Sequence, residues 1–110
     1  DPSELLVGGV AAPESTVTNL APVETLEAGS SLTVTGTAVD PDGFIGGVEV
    51  STDGGLTWTL ANGAENWSYD YEVPNAPGVY SLSYRAGDSD FNLEAVNSIL
   101  INVVDPFVGA

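Results

Sequence analysis

The chain contains no cysteine, no histidine and no lysine, and its single basic residue is Arg85. Without cysteine it builds neither a disulfide framework nor a thiolate metal site, and cysteine usage therefore carries no information about redox compartment. Without lysine it forms no lysine-to-asparagine isopeptide crosslink, so packing has to be noncovalent. Sixteen acidic residues against one basic residue give a formal charge of −15. That excess repels nucleic acid and anionic headgroups, which argues against a nucleic-acid partner and against direct membrane insertion. It attracts divalent cations, or serves only to keep a surface protein dispersed. Long hydrophobic runs are missing too. The apolar stretch at residues 5–12 has no basic flank and is too short to cross a bilayer, so it reads neither as a signal peptide nor as a membrane helix.

What is present suits one folded domain. At 110 residues, 43% of them hydrophobic and 8% aromatic, the chain is too apolar for disorder. On folding it buries roughly two-thirds of its unfolded surface.

The pattern along the chain is that of short strands between glycine, proline and aspartate turns. Residues 1–14 are an extension in which Leu5, Leu6, Val7 and Val10 place apolar groups on both faces of any extended conformation. Such a segment needs cover on both sides, as an extra strand on its own domain, a linker, or a strand donated to a neighbour. Residues 15–20 read as a first strand, with Pro22 marking a sheet edge or a switch between sheets, and residues 23–26 as its continuation. In Leu32-Thr33-Val34-Thr35-Gly36-Thr37-Ala38, Leu32, Val34 and Ala38 share one face. Strands follow at residues 45–51, 56–60, 67–73, 80–86 and around Ile99, Ile101 and Val103. Turns are expected at Asp53-Gly54 and Asn62-Gly63. Residues 105–110 form a tail or linker. No helical period competes, so the expected fold is an all-β antiparallel sandwich of about seven to eight strands over residues 15–104.

Several stretches carry a resemblance: Val34-Thr35-Gly36-Thr37-Ala38, the run from Gly47 through Ser51, Asp53, Gly55 and Thr57 to Trp58, Trp67-Ser68-Tyr69, Pro77-Gly78-Val79-Tyr80 and Arg85-Ala86-Gly87-Asp88. In this order they resemble bacterial Ig-like domains of secreted and cell-surface proteins. The resemblance implies an Ig or fibronectin-type sandwich without its own catalysis, used as spacer, adhesin module or accessory domain; it implies a fold and not a task. A similar hairpin occurs in the dimerisation domain of sulfite-oxidase-like molybdenum enzymes. The spacing Ser51-x-Asp53-x-Gly55-x-Thr57-Trp58 also resembles the Asp-box of sialidase propellers, but one box does not make a propeller. Here Asp53 reads as a turn lock and Trp58 as core.

Calcium is the one cofactor with a candidate donor set. In a sandwich of this topology the loop with Asp40 and Asp42 lies at the same end as the loop with Asp88, Asp90 and Asn92, so five oxygen donors could converge. The pattern departs from an EF-hand, which would need a glycine and a distal glutamate where Leu93 and Ile99 stand. The other reading is acidic turn formers facing solvent. A calcium-dependent rise in melting temperature, abolished by Asp42→Asn with Asp90→Asn, separates the two. Tyr69, Tyr71, Tyr80 and Tyr84 alternate onto inward faces and read as core, not as a sugar-stacking platform. No catalytic residue is expected.

The functional expectation is a structural or assembly module of an extracellular or cell-surface protein. It would associate with copies of itself or with adjacent domains through terminal strands, in a tandem array or a filament. The alternative is a calcium-stiffened adhesin or a carbohydrate-binding accessory domain of a secreted enzyme.

Overall fold

The computed structural model describes residues 12–41, 43–88 and 92–106. In chain order the strands are β1 (Glu14–Val17), β2 (Val23–Glu27), β3 (Ser31–Val39), β4 (Ile45–Ser51), β5 (Thr59–Leu60), β6 (Asn62–Gly63), β7 (Asn66–Glu72), β8 (Gly78–Asp88) and β9 (Asn97–Val104). They form two sheets, ordered β1-β3-β7-β6 (sheet A) and β2-β9-β8-β4-β5 (sheet B). The expected all-β Ig-like sandwich is what the chain builds, with seven strands of four residues or more and two short ones.

Period-two alternation makes the core. Val34 and Ala38 from β3, Trp67 and Tyr71 from β7, Val48 and Val50 from β4, Leu82 and Ala86 from β8, and Ile99, Ile101 and Val103 from β9 are all buried between the layers. Each valine, leucine and isoleucine of this set contributes ~1.5–3 kcal/mol through removal from water, set against the entropy of ordering it. Tyr69, Tyr80 and Tyr84 are only partly buried but pack against the same core. Burial raises the pKa of Tyr71 and of Tyr84; neighbouring Tyr69 adds to the first and the Glu94 carboxylate to the second.

The first strand changes sheet, and the side chains explain how. β1 pairs antiparallel with β3 from Glu14↔Val39 to Val17↔Gly36. The Thr18 amide still donates to the Thr35 carbonyl at 2.8 Å. Asn19 then takes over from the main chain: its Nδ2 donates to the Thr33 carbonyl at 2.8 Å and its Oδ1 accepts the Thr35 N–H at 2.9 Å. With the ladder of β3 satisfied by a side chain, the backbone is free to cross past Pro22. Residues 23–26 therefore do not prolong the first strand; they belong to β2 in the opposite sheet. Because β2 keeps the direction of β1, it meets β9 in parallel, from Val23↔Leu100 to Glu27↔Val104. Every other strand pair is antiparallel.

Two expected turns are displaced. Asn62-Gly63 is not a reversal but the two-residue strand β6, paired as Asn62↔Ser68 and Gly63↔Trp67. The Asp53-Gly54 pair does not join two long strands either. The chain leaves β4 at Ser51 and re-enters the sheet only at Thr59–Leu60, opposite Val50 and Glu49. Hydrogen bonding within the loop, described next, outweighs the strand propensity of residues 56–58.

Candidate functional site

The loop after β4 is held by its own side chains. The Ser51 hydroxyl, 1% exposed, donates to Asp53 Oδ1 at 2.7 Å and accepts the Gly55 N–H at 2.9 Å. Asp53 Oδ1 accepts the Thr57 N–H at 2.9 Å, and Asp53 Oδ2 accepts the Thr57 hydroxyl. Gly54 and Gly55 occupy φ of 76° and 92°, the left-handed region that favours glycine. Hydrogen bonds from the Thr57 hydroxyl first, then from the Thr57 amide and Ser51, hold the Asp53 carboxyl at a pKa of about 2 against an ordinary 3.8. A lowered folded-state pKa stabilises the fold above the unfolded value, and that contribution disappears as pH falls from 3.8 towards about 2. Asp53→Asn is accordingly expected to flatten the dependence of melting temperature on pH in that window, measured beside the parent chain.

The expectation of Trp58 in the core is corrected. Trp58 is half-buried on the outer face of sheet B, where the Arg85 guanidinium carbon lies 4.0 Å from the centroid of its ring. Arg85 Nε also donates to Glu49 Oε1 at 2.9 Å. The partly exposed ion pair is worth about 1 kcal/mol or less and the cation–π contact a similar amount. The reason for the displacement is the loop's length: its reversal delivers Trp58 above the sheet instead of between the layers.

At one pole of the sandwich, Asp40 follows β3 and Asp88 closes β8, with Ile45 of β4 paired to Asp88. Asp88 is buried, its Oδ1 accepting the Asn92 N–H at 2.8 Å and its Oδ2 the Asn92 Nδ2 at 3.0 Å. Asp42 and Asp90 lie outside the described residues, as do Leu5, Leu6, Val7 and Val10. Among the described residues, no group of three or more carboxylates gathers closely enough to hold a metal ion.

Near that pole sits a residue the pattern of alternation did not single out. Glu94 Oε1 accepts from Ser15 Oγ at 2.5 Å and from the Ala86 N–H at 3.0 Å, while Oε2 accepts the Ser15 N–H at 3.0 Å. Its own N–H donates to the Ala86 carbonyl at 2.9 Å. One carboxylate thereby ties β1 of sheet A to β8 of sheet B. The only sequence signal was a lone glutamate in an otherwise uncharged stretch after the Asp88 turn, and such a residue normally faces water.

Two open hollows mark the surface. One, of about 200 Å³, lies on the outer face of sheet A against Ser31, Thr33, Asp70 and Glu72. The other, about 340 Å³, follows the seam where β1 leaves for β2, beside Val17, Leu20, Pro22, Tyr84, Asn97 and Ile99. The Asn97 Nδ2 group there is buried without a hydrogen-bond partner.

A family model described as a bacterial Ig domain matches residues 13–83. No curated protein matches in sequence. Among solved structures, the fibronectin(III)-like modules of CbhA from Clostridium thermocellum superpose with a TM-score of 0.70 at 22% identity, over 90% of this chain and 50% of theirs. The SrpA adhesin of Streptococcus sanguinis gives 0.60 at 19% identity, over 86% of this chain and 58% of that one. The sulfane dehydrogenase SoxCD of Paracoccus pantotrophus gives 0.60 at 23% identity, over 76% of this chain and 23% of that one. At these identities the likeness concerns the fold alone, and the chain spans about half the length of the first two.

Proposed function

Since the chain belongs to the bacterial Ig domain family, a kind of module typical of multidomain surface and secreted proteins, we propose that it is a non-catalytic spacer and assembly module of an extracellular or cell-surface protein. One observation carries this reading: the described sandwich is entered and left at opposite poles. β1 begins beside Val39, where Ser15 is tied to Glu94 and through it to Ala86 near the end of β8. β9 ends beside Glu27 and the start of β8, with Val103 paired to Gly78. The eleven residues of β8 separate the poles by ~36 Å at ~3.3 Å per residue. Modules connected pole to pole extend a chain, whereas modules with adjacent ends fold it back.

The adhesin and the fibronectin-like module among the structural neighbours support a role in presentation or spacing. An antibody against the chain is expected to label intact cells of the source organism or its culture medium. Confinement of the antigen to the cell interior would refute the surface assignment.

A further inference from the structure

The two outer faces of the sandwich differ in kind. On sheet A the outward positions are Glu14 and Thr16 on β1, Ser31, Thr33, Thr35 and Thr37 on β3, and Asn66, Ser68, Asp70 and Glu72 on β7. These follow from the register and from the burial of their neighbours. Hydroxyls, amides and carboxylates fill this face, with an exposed apolar side chain only at its rim, Val39. On sheet B the register pairs Val23 with Leu100, Leu100 with Ser81, and Val79 with Asn102. It continues through Ser83–Ser98 and Glu49–Arg85 to Leu60. Leu93 reaches over Gly87, and Leu60 over Gly47, where the sheet itself has no side chain. Of the nine large hydrophobic residues exposed among those described, Val23, Leu60, Val79, Leu93 and Leu100 all lie on this side.

From this asymmetry we infer that the outer face of sheet B is an interface with a second copy of this chain, and this deepens the assembly reading above. Charge selects the occupant. A body of formal charge −15 repels its own kind wherever carboxylates face out, as on sheet A. Among the described residues, sheet B's face carries Glu49 already paired with Arg85 at 2.9 Å, and beyond that pair Glu27 at one corner and Asp53 on the loop bonded to Ser51 at the opposite edge. Two copies meeting there bury no unpaired charge in the centre, whereas a cationic partner is drawn to the opposite face. The contact is isologous, the same patch serving both copies about a two-fold axis. The face is small but sufficient: the five strands of sheet B, unequal in length, span roughly 500 Å² at ~3.3 Å per residue and ~4.8 Å between strands, so two copies bury about 1,000 Å², the lower bound for a specific contact. A standard interface takes about 800 Å² from each partner.

The test is sedimentation equilibrium of the purified chain at rising protein concentration, in dilute buffer and in 1 M NaCl. A monomer–dimer equilibrium is expected, shifted towards dimer by salt because the Debye length shrinks to ~3 Å and the repulsion between the two bodies is screened. Leu100→Glu, an outward position tolerant of a polar group, is expected to weaken dimerisation at least tenfold with an unchanged far-ultraviolet spectrum. Thr35→Glu on sheet A leaves the equilibrium where it was. A second variant, Val79→Glu, guards against local disturbance at Leu100 and should weaken dimerisation likewise. A chain that stays monomeric at every concentration in both buffers overturns the inference and points to a different partner. So does a dimer indifferent to both Leu100→Glu and Val79→Glu. Such failure leaves the surface assignment standing, and an intracellular location would leave this interface standing.

Discussion

Replacing Trp67 by alanine is expected to cost about 3–5 kcal/mol in chemical denaturation, the range for deleting a buried aromatic side chain. For a domain with total stability on the order of 5–15 kcal/mol, that is enough to leave a substantial unfolded fraction at physiological temperature. Trp67 is 2% exposed, its indole Nε1 donates to the Thr37 carbonyl at 3.1 Å, and its ring lies 5.8 Å from that of Tyr84 across the sandwich. The truncation removes the contact between sheets and strands an acceptor on β3. The indole has its place because Gly36 lies beneath it: a Cβ at Gly36 would run into the ring and into the Thr16 carbonyl. Gly36→Val is therefore expected to be damaging in its own right. Combined with Trp67→Ala it should cost less than the sum of the two, because the cavity made by one relieves the overlap made by the other. Strictly additive losses would show that the two positions are not in contact.

Glu94→Ala has the second large expected effect, about 2–4 kcal/mol. The carboxylate receives three hydrogen bonds, and bonds to a charged group are worth ~1.5–3 kcal/mol each before water replaces part of the loss. The distinguishing readout is local. Amide hydrogen exchange at Ser15 and Ala86 should accelerate far more than exchange in β9, because β1 has only β3 beside it in sheet A and loses its tie to sheet B. Glu94→Gln keeps the shape and one acceptor oxygen and should fall between. Uniform acceleration across the domain would mean that the latch is part of the global unfolding unit and not a local clasp.

Much of the fold was legible because burial in a two-layer sheet leaves a mark of period two. Val34 and Ala38, Trp67 and Tyr71, Leu82 and Ala86, and Ile99, Ile101 and Val103 all read correctly as inward from alternation alone. Pro22 read correctly as a possible sheet switch because a residue without an N–H cannot sit inside a ladder. The continuation of that strand was misread, since its sheet depends on whether a side chain, Asn19, completes the β3 ladder in the backbone's place. Trp58 was misread for a related reason. An aromatic residue after an Asp-Gly pair has the composition of a core strand, but bonds among Ser51, Asp53, Gly55 and Thr57 lengthen the reversal and turn the ring outward onto Arg85. Glu94 left no mark because its three donors come from residues distant in sequence on β1 and near at hand on β8.

By itself, then, the amino-acid order determined which side chains go inside, the absence of covalent crosslinking through cysteine or lysine, and the large negative charge. These depend on residue type and near neighbours along the chain. Tertiary structure alone decided which sheet receives β2, where the lone arginine finds its carboxylate and its ring, and which outer face gathers most of the exposed aliphatic side chains. Those outcomes depend on pairing between strands far apart in sequence, and the register of such pairing is set by the packing of the whole sandwich.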